Sequence, residues 1–457
     1  MTTFNLKKGY DLKLKGQPHK DIIEVSPPDI IKINPHDFKY IKPKLTVKVG
    51  TEVKVGTQLF FDKNYPDIKH NSPCSGVIDS IDYGAKRKIL SINIKNDKEY
   101  VQENLEYLKK FFDLSSILNL SADSTKKIIN EAGLWPTIRQ RPFSKIADLS
   151  SKPKSIFISM KPTEPLSPDQ IFILENDSVG FIEGFDAISN LTDGEINVIF
   201  DNDQDPSNLS SLEKVNIHFF NGPHPSGNTG IHIHHLDPIS SKDDIVWYLT
   251  VQDVCNIGKL FVNEKINTTK VVSIGGPGCS DPKYLKLYNG TPISHINSEM
   301  ELELSENHVI ISGSVLSGKQ ITLDQSVKYY DQIISIIYKT NNREFLGWLL
   351  PGLDKFTLTN TFFSRLVGKS GNIENNQLNG SKRAIVPIGL WEKVLPMDIL
   401  PNFLIRSILA ADIEDMEKLG IYECDQEDFA LCSLICQSKI EVSQIIDEGL
   451  DLMYEEG

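Results

Sequence analysis

Four histidines that lie within a dozen positions are the residues of this chain whose type and spacing most directly suggest chemistry. They are His224, His232, His234 and His235, four of the ten histidines in 457 residues. If residues 231–236 form a strand, His232 and His234 project from one face and His235 from the other. Two histidines could then approach one metal ion, and His224 could add a third ligand, as in a catalytic zinc site.

The histidine cluster also has two interpretations that need no metal. Only Asp237 is available nearby as an acidic partner for a metal-bound imidazole, which argues against a zinc site. Hydrogen bonding within loops is the favoured use, because each ring nitrogen can donate or accept. Contact with a bound ligand or a partner protein is the remaining alternative. We therefore predict no metal site.

A second candidate group combines basic and aromatic side chains. It consists of Trp135, Arg139, Arg141 and Phe143, with Lys145 close behind. Trp and Arg are enriched at the centres of protein interfaces, so the group could anchor a partner. The alternative is that these side chains cap helices and pack in the core, with the Arg stems covering apolar surface. The sequence leaves both interpretations open.

Two further motifs predict structure and not cofactor binding. Residues 275–278 (Gly-Gly-Pro-Gly) follow an apolar strand, but Pro277 removes a backbone donor that a phosphate would need, so a structural turn is favoured. Cys432 and Cys436 would share a helical face, yet a four-iron cluster needs four thiolates and only Cys424 lies nearby. We expect these cysteines to be buried apolar residues. No catalytic and no cofactor-binding residue is predicted.

Composition excludes several classes of protein. The net charge of −13 argues against a nucleic-acid partner and against broad adhesion to an anionic bilayer. The longest apolar runs, such as residues 333–338, fall well below the roughly 20 residues that a membrane-spanning helix needs. Six scattered cysteines and the lack of a secretory signal predict free thiols in a soluble, cytoplasmic protein.

The N-terminal region is predicted to be a barrel-sandwich domain. Residues 49–59 and 72–78 give short apolar strands separated by glycines, a pattern similar to that of lipoyl and biotinyl domains. Such domains can carry a modified lysine at a hairpin tip, and Lys63 is the candidate here. Its distance from Ser72 does not fit the usual symmetric hairpin, so a structural or docking module is favoured over a carrier.

The rest of the chain divides by periodicity. Residues 105–133 predict a helical link, residues 155–262 alternate strands and helices as in a Rossmann-like α/β domain, and residues 364–381 predict a mobile loop. Four short amphipathic helices are predicted at 398–409, 412–419, 427–436 and 442–454. The predicted domains are 1–100 (barrel-sandwich), 101–262 (Rossmann-like), 263–345 (mainly β) and 346–457 (linker and C-terminal helices).

Several blocks in one order resemble a known family. They are Gly133-Leu134-Trp135 with Arg139 and Arg141–Lys145; Leu191–Gly194; Gly222–Pro225 with Gly227, Gly230, His232 and His234; Gln252–Val254 with Ile257–Phe261; Ile311–Gly318; Gly347-Trp348 with Pro351-Gly352; Val386–Gly389 with Pro396–Pro401; and Ala430–Cys436. Together they are similar to the A subunits of sodium-translocating NADH:quinone reductases. The resemblance runs from the second predicted domain to the C-terminal helices.

The resemblance implies a fold and a place in a complex. It implies a multidomain α/β fold with a barrel-sandwich domain, a Rossmann-like domain, a β-grasp-like (SLBB) domain and a C-terminal helical domain. Relatives are expected in the Rnf complex and in the flavin-bearing subunit of complex I. The family member is a peripheral subunit without a cofactor of its own, bound to the membrane-embedded flavin-bearing subunits on the cytoplasmic face of the bacterial inner membrane.

The resemblance also implies an activity for the whole complex. The complex uses NADH, FMN, riboflavin and an iron-sulfur centre to reduce ubiquinone while it exports Na⁺, and this family of subunits has been linked to ubiquinone binding. Candidate contacts with quinone or a partner are His224, His232, His234, Trp135, Arg139, Arg141 and Phe143. The alternative is a free-standing protein, either a zinc hydrolase that uses the histidine cluster or a lipoyl-type carrier that uses Lys63.

Overall fold

The computed structural model describes residues 1–105, 117–209, 212, 214–340, 351–353, 355, 362–366, 375–376 and 380–457. The strands are β1 (Thr2–Asn5), β2 (Ile22–Glu24), β3 (Ile30–Ile33), β4 (Pro43–Leu45), β5 (Glu52–Val53), β6 (Gln58–Asp62), β7 (Lys69–Asn71), β8 (Gly76–Tyr83), β9 (Ile89–Asn96), β10 (Arg139–Arg141), β11 (Lys145–Ile146), β12 (Ser155–Ser159), β13 (Ile196–Phe200), β14 (Val215–Asn221), β15 (Val246–Leu249), β16 (Thr269–Gly275), β17 (Lys283–Tyr288), β18 (His308–Ser312), β19 (Lys319–Ile321) and β20 (Ile333–Tyr338). The α-helices are α1 (Ala122–Glu131), α2 (Gln170–Asn176), α3 (Phe181–Ser189), α4 (Thr229–Leu236), α5 (Val251–Asn263), α6 (Ile293–Glu299), α7 (Pro401–Leu409), α8 (Ile413–Lys418), α9 (Ala430–Ile435) and α10 (Val442–Glu456).

The predicted barrel-sandwich domain is confirmed. Two antiparallel sheets, ordered β3-β9-β8-β5 and β4-β6-β7, enclose one part of the hydrophobic core. Ile92 and Ile94 of β9 point into the core. Asn93 between them is buried on the other face, where its side chain donates to Ser80 and Asp82, and Lys95 is exposed. Lys63 lies exposed in the connection between β6 and β7.

The predicted Rossmann-like domain is also confirmed. Its seven-stranded sheet has the order β1-β14-β13-β12-β15-β10-β11, parallel from β1 to β15 and antiparallel at β10 and β11. Both faces are covered, so β12 is largely apolar: Ile156 and Ile158 enter one core and Phe157 enters the other.

A six-stranded sheet forms the β-grasp-like region, with the order β19-β18-β20-β16-β17-β2. The β16 strand ends at Gly275 and a turn leads into antiparallel β17, so the structural turn predicted at residues 275–278 is confirmed. Gly276 has φ +112°, which explains the glycine there.

The first 24 residues contribute to sheets outside the barrel-sandwich. The β1 strand pairs with β14 of the seven-stranded sheet, and β2 pairs with β17 of the six-stranded sheet. The predicted domain boundaries are otherwise untested and stay a prediction.

Four C-terminal helices cover one face of the seven-stranded sheet, and all four were predicted. Leu404 of α7 and Ile446 of α10 pack in the same core as Phe157 and Phe220 of the sheet. The α7 helix begins at Pro401, three residues later than predicted, because proline fits the first helical position, where no N–H partner is needed. Cys432 and Cys436 are buried free thiols, as predicted.

Two predicted segments lie mainly outside the described residues. The first half of the helical link at 105–133 is one of them, and its described part contains α1. Most of the predicted loop at 364–381 is the other. Among the helices of the described ranges, none has both the length and the apolar composition needed to cross a membrane.

Candidate functional site

A cavity of about 70 Å³ lies where the barrel-sandwich, α/β and six-stranded regions meet. The first region lines it with residues 32–34, 37–38 and 70–73 and with Phe60, the second with Gly133, Leu134 and Pro136, and the third with Lys270 and Tyr329. Polar and apolar residues line it in about equal number. Ligand sites often lie between domains, but they usually measure about 300–1,000 Å³, so a ring-sized ligand would enter this cavity only if its walls moved apart.

The most unusual residue of the cavity is His70 on β7. Its ring is stacked on Phe60, with centroids 4.4 Å apart and planes 13° apart, and meets Phe38 edge-on at 4.6 Å. Both ring nitrogens are buried and have no hydrogen-bond partner among the described residues. Burial lowers the pKa of His70 to about 3, so the ring is neutral and offers one donor and one acceptor.

The neighbouring Asn71 presents another buried polar atom. Its Nδ2 donates to the carbonyl oxygen of Glu131 at 3.0 Å, while its Oδ1 has no partner in the described part of the chain. Unpaired buried polar atoms are costly and rare in native proteins. Three of them on two adjacent residues of one cavity indicate that a ligand or water satisfies them there.

Two charged groups of the cavity titrate near neutral pH. Asp37 accepts a hydrogen bond from the Tyr329 amide at 3.0 Å, and burial raises its pKa to about 6. Lys270 donates to the carbonyl oxygens of Lys328, Tyr329 and Asp331 at 2.8–3.0 Å, and burial lowers its pKa to about 8. The wall of the cavity can therefore hold or release a proton close to physiological pH.

The arrangement suits the oxygen-bearing edge of a planar, apolar ring. Phe38 and Tyr329, whose ring centroids are 4.8 Å apart, supply apolar walls. The neutral imidazole of His70 can donate to a carbonyl oxygen or accept from a hydroxyl group. No set of three or more His, Cys, Asp or Glu side chains within the described ranges is arranged to hold a metal ion.

The predicted histidine cluster lies elsewhere and is helical. Residues 229–236 form α4, so the strand geometry assumed for His232 and His234 is wrong. The alternation of Ile and His resembles a strand, but this segment is the crossover between parallel strands of the sheet, β14 before it and β15 after it, which calls for a helix. The side chains therefore point in different directions from those expected.

Each histidine of the cluster has its own hydrogen-bond partner. His232 pairs with the Ser226 carbonyl at 2.8 Å, His224 with the Thr163 hydroxyl at 3.1 Å and His235 with the Pro396 carbonyl at 2.9 Å. His234 contacts Glu423 Oε2 at 2.6 Å through Nδ1, and its Nε2 accepts from the Asp398 amide at 2.9 Å. The histidines are thus used in hydrogen bonds, as favoured from the sequence, but three of the four lie on α4 and not in a loop. A role for His224, His232 and His234 as contacts for quinone or a partner stays a prediction.

The basic-aromatic group is divided between two environments. Trp135 is buried and donates to the Ala147 carbonyl at 2.7 Å, whereas Arg139 lies against the rings of Tyr248 and Tyr330, at 4.3 and 4.7 Å. Tyr330 in turn donates to the carbonyl of Pro136, a cavity residue. Trp135 and Arg139 thus support the wall of the cavity from behind.

Arg141 and Phe143 point toward the C-terminal helices. Arg141, only 1% exposed, forms ion pairs with Asp425 at 3.2 Å and Glu427 at 2.9 Å, and its guanidinium group lies 3.6 Å from the carboxyl group of Asp428. Phe143 packs edge-on against Tyr454 at 5.4 Å. Both residues attach the C-terminal region to the α/β domain, and their role in binding a partner stays a prediction.

The cavity residues were missed from the sequence because no motif marks them. His70 is a lone histidine in a three-residue strand, and Asp37 lies in a short 3₁₀ turn. Lys270 is more than 190 positions away from either residue along the chain. Only the packing of three regions brings them together.

The order of the folded regions defines the class: a multidomain protein with a barrel-sandwich, an α/β domain and an SLBB domain. Family models match as "NqrA N-terminal barrel-sandwich hybrid domain" at residues 4–97, "NqrA second alpha/beta domain" at 120–266 and "NQRA C-terminal domain" at 271–322. Among curated proteins, the chain is 36% identical to the A subunit of the Na(+)-translocating NADH-quinone reductase of Histophilus somni (strain 129Pt), over 99% of each chain.

Other proteins with the same name are similar to this chain over its full length. The identity is 34% with the protein of Vibrio atlanticus (strain LGP32) and 33% with that of Pasteurella multocida (strain Pm70), again over 99% of each chain. The chain belongs to the family of the A subunits of Na(+)-translocating NADH-quinone reductases. The resemblance inferred from the sequence motifs is therefore confirmed.

Proposed function

We propose that this chain is a peripheral subunit, without a cofactor of its own, of a complex that reduces ubiquinone with NADH and exports Na⁺. We place it on the cytoplasmic face of the bacterial inner membrane, bound to integral-membrane flavin-bearing subunits. Full-length identity of 33–36% to proteins named as the A subunit of such a reductase supports this proposal. FMN, riboflavin and the iron-sulfur centre belong, in this proposal, to the partner subunits.

We also propose that the chain binds the quinone head group in the cavity beside His70. The two unpaired ring nitrogens of His70 carry this proposal. In the neutral ring, the N–H group donates to a quinone carbonyl, and the other nitrogen accepts from a quinol hydroxyl. Phe38 and Phe60 supply the apolar contact that a ring requires. Asp37, with its pKa of about 6, lies in the same wall.

Substitution of His70 tests the quinone proposal in the assembled complex. Because the ring nitrogens have no partner in the described chain, His70→Leu removes unsatisfied polar atoms and is expected to leave the fold intact. Loss of the hydrogen bond to quinone is expected to raise KM for a short-chain ubiquinone about tenfold with little change in kcat.

The matched control for this test is His36→Leu. His36 belongs to the same domain but is exposed and does not line the cavity. An unchanged KM in His70→Leu, with normal thermal stability, would exclude the cavity as the quinone site and leave the place of the chain in the complex untouched.

Co-purification tests whether the chain belongs to the proposed complex. The tagged chain is recovered from mildly solubilised membranes, and the eluate is assayed for sodium-stimulated NADH:quinone reduction. Recovery of integral-membrane flavoproteins with this activity is expected. Recovery of the chain alone, with stoichiometric zinc or an added mass at Lys63, would favour the free-standing hydrolase or carrier.

Assembly is proposed to use the solvent side of the C-terminal helices. Leu400, Phe403 and Leu409, on α7 and directly before it, are 55–60% exposed, and Val386 and Ile388 are 49–60% exposed. Val386 and Ile388 line a shallow groove with Asn402, next to Phe403. Several large apolar side chains exposed on and beside one helix favour an interface there. The proposed occupant is one of the membrane-embedded subunits of the complex.

A further inference from the structure

The tip of the hairpin between β8 and β9 is a strongly charged surface that the proposed function does not use. Lys86, Arg87 and Lys88 are consecutive and exposed. Tyr83, 53% exposed, and Leu90, 47% exposed, flank them at the ends of the two strands. The tip therefore combines three cations with an aromatic and an aliphatic side chain.

The three cations are not neutralised within the part of the chain that the structure describes. None of them forms an ion pair there, although acidic residues outnumber basic ones by 61 to 48 in the whole chain. Their positive charge also reaches a neighbour, since Lys88 adds to burial in lowering the pKa of His36. The local charge at the tip is thus positive, whereas the net charge of the whole chain is −13.

The backbone of the tip is held in an unfavourable conformation. Lys86 has φ 54° and Arg87 has φ 59°, both in the left-handed region that long side chains rarely occupy. Glycine or asparagine would relieve this cost at either position. Strained residues of this kind cluster at functional sites, and here they carry adjacent cations on a convex tip.

We propose that this hairpin tip contacts the anionic phospholipid headgroups of the membrane. Basic side chains bind anionic headgroups, and Tyr is enriched at the interface between headgroups and acyl chains. The inference rests on the proposed position of this chain at the membrane surface. The net charge of the whole chain, which is negative, would not by itself predict contact with anionic lipid.

A protein partner fits the tip less well than a lipid surface. A stable protein interface usually buries about 800 Å² on each side, which needs about 20 or more residues. The tip, from Tyr83 to Leu90, offers only eight residues at the end of two strands. Headgroup contact needs no such area, because each cation near an anionic surface contributes about fivefold to the partition coefficient, or roughly 100-fold for three.

Vesicle binding by the purified full-length chain tests this proposal. Sedimentation is compared for phosphatidylcholine vesicles with and without phosphatidylglycerol, at low and high salt. The test variant combines Lys86→Gln, Arg87→Gln and Lys88→Gln. The matched control combines Lys48→Gln, Lys54→Gln and Lys95→Gln, three exposed lysines of the same domain that lie away from the hairpin tip.

The proposal expects binding to phosphatidylglycerol vesicles that falls with salt, drops roughly 100-fold in the hairpin variant and persists in the control variant. Equal losses in both variants would overturn it, because net charge alone would then explain binding. Absence of binding by the unchanged chain would also overturn it. If the hairpin variant bound vesicles normally but lost the partner subunits on co-purification, the tip would bind an acidic protein segment instead.

Membership of the complex is tested separately, by co-purification of the unchanged chain. Failure of the lipid proposal can therefore be distinguished from failure of the proposed function.

Discussion

Buried carboxylates around Arg141 show how single residues can make this protein respond to pH. Asp425 and Asp428 both lie within ion-pairing distance of the one guanidinium group. Burial, together with the charges of Glu427 and Asp425, raises the pKa of Asp428 far above its usual value. Burial alone would also raise the pKa of Asp425, but Arg141 and Lys39 lower it. One site therefore holds a neutral acid beside an ionised one.

The raised pKa of Asp428 predicts a stability that declines toward alkaline pH. In the unfolded chain Asp428 ionises at about pH 4, whereas in the folded chain it stays protonated to a higher pH. The folded state binds more protons, so the free energy of unfolding falls as pH rises from about 4 through the raised pKa. Asp428→Asn removes this loss, so the variant gains stability over the unchanged chain as pH rises.

Urea unfolding at about pH 5 and about pH 8 measures this effect. Each pH unit over which Asp428 is ionised only in the unfolded chain changes the free energy of unfolding by about 1.4 kcal/mol, so the variant is expected to gain a few kcal/mol over this range, at most about 4. Asp398→Asn, an exposed carboxylate of the same region, is the control and should show no such trend. Parallel pH profiles for Asp428→Asn and the unchanged chain would contradict the prediction.

At the scale of elements, helices α3 and α5 cross at unusually close range. A Cβ added at Gly184 would lie 2.1 Å from the carbonyl oxygen of Val254, and one at Gly258 would lie 1.7 Å from that of Gly180. Only glycine allows the two backbones to approach this closely. This crossing holds both helices against the face of the sheet that shares its core with the barrel-sandwich.

Gly184→Ala is predicted to destabilise the protein strongly. The added methyl group meets backbone, which cannot rotate away, so the helices must separate at a cost of about 3 kcal/mol. Thermal or urea unfolding measures the change.

Gly449→Ala in α10 is the matched control for the helix crossing. The new methyl group there would lie 2.8–3.0 Å from side-chain atoms of Ile408, which must shift, but it would meet no backbone, and alanine favours helix by about 1 kcal/mol. A smaller loss of stability than for Gly184→Ala is expected. If Gly184→Ala and Gly449→Ala lowered the free energy of unfolding equally, the close approach of the two backbones would not explain the need for glycine at position 184.

At the scale of the whole molecule, shared cores make the domains interdependent. One core joins the barrel-sandwich to one face of the seven-stranded sheet, and another joins the opposite face to the C-terminal helices. The N-terminal strands β1 and β2 add further links between regions. The cavity at His70 depends on this arrangement, because three regions supply its walls.

The exposed apolar side chains of α7 predict that this helix contacts the partner subunits. Phe403→Asp combined with Leu409→Asp places two charges on this helix, and the side chains are 60% and 59% exposed, so the fold should tolerate the change. Recovery of partner subunits in the co-purification experiment is expected to fall at least about tenfold, since a charge buried in an apolar interface is costly.

Val262→Asp, a 47% exposed apolar residue near the end of α5, is the control for this double variant. It should leave recovery of the partners unchanged. Full recovery with the α7 variant would move the proposed interface away from the C-terminal helices.

The sequence by itself determined the domain types and the family. Glycine-punctuated strands predicted the barrel-sandwich, alternating strands and helices predicted the α/β sheet, and amphipathic periodicity predicted the C-terminal helices, because these signals depend on residues close together in the chain. Family motifs spread over the chain identified the type of protein. The alternation around His232 was misleading, because the same pattern occurs in a short helix that is largely buried.

Only the tertiary structure decided where the candidate site lies. His70, Asp37 and Lys270 come from separate strands and turns, and none belongs to a motif. Their unusual properties, two unpaired ring nitrogens and pKa values shifted toward neutrality, arise from burial by distant segments. Burial depends on how distant segments pack together. The residue types around His70 or Asp37 do not show which distant segments will cover these side chains.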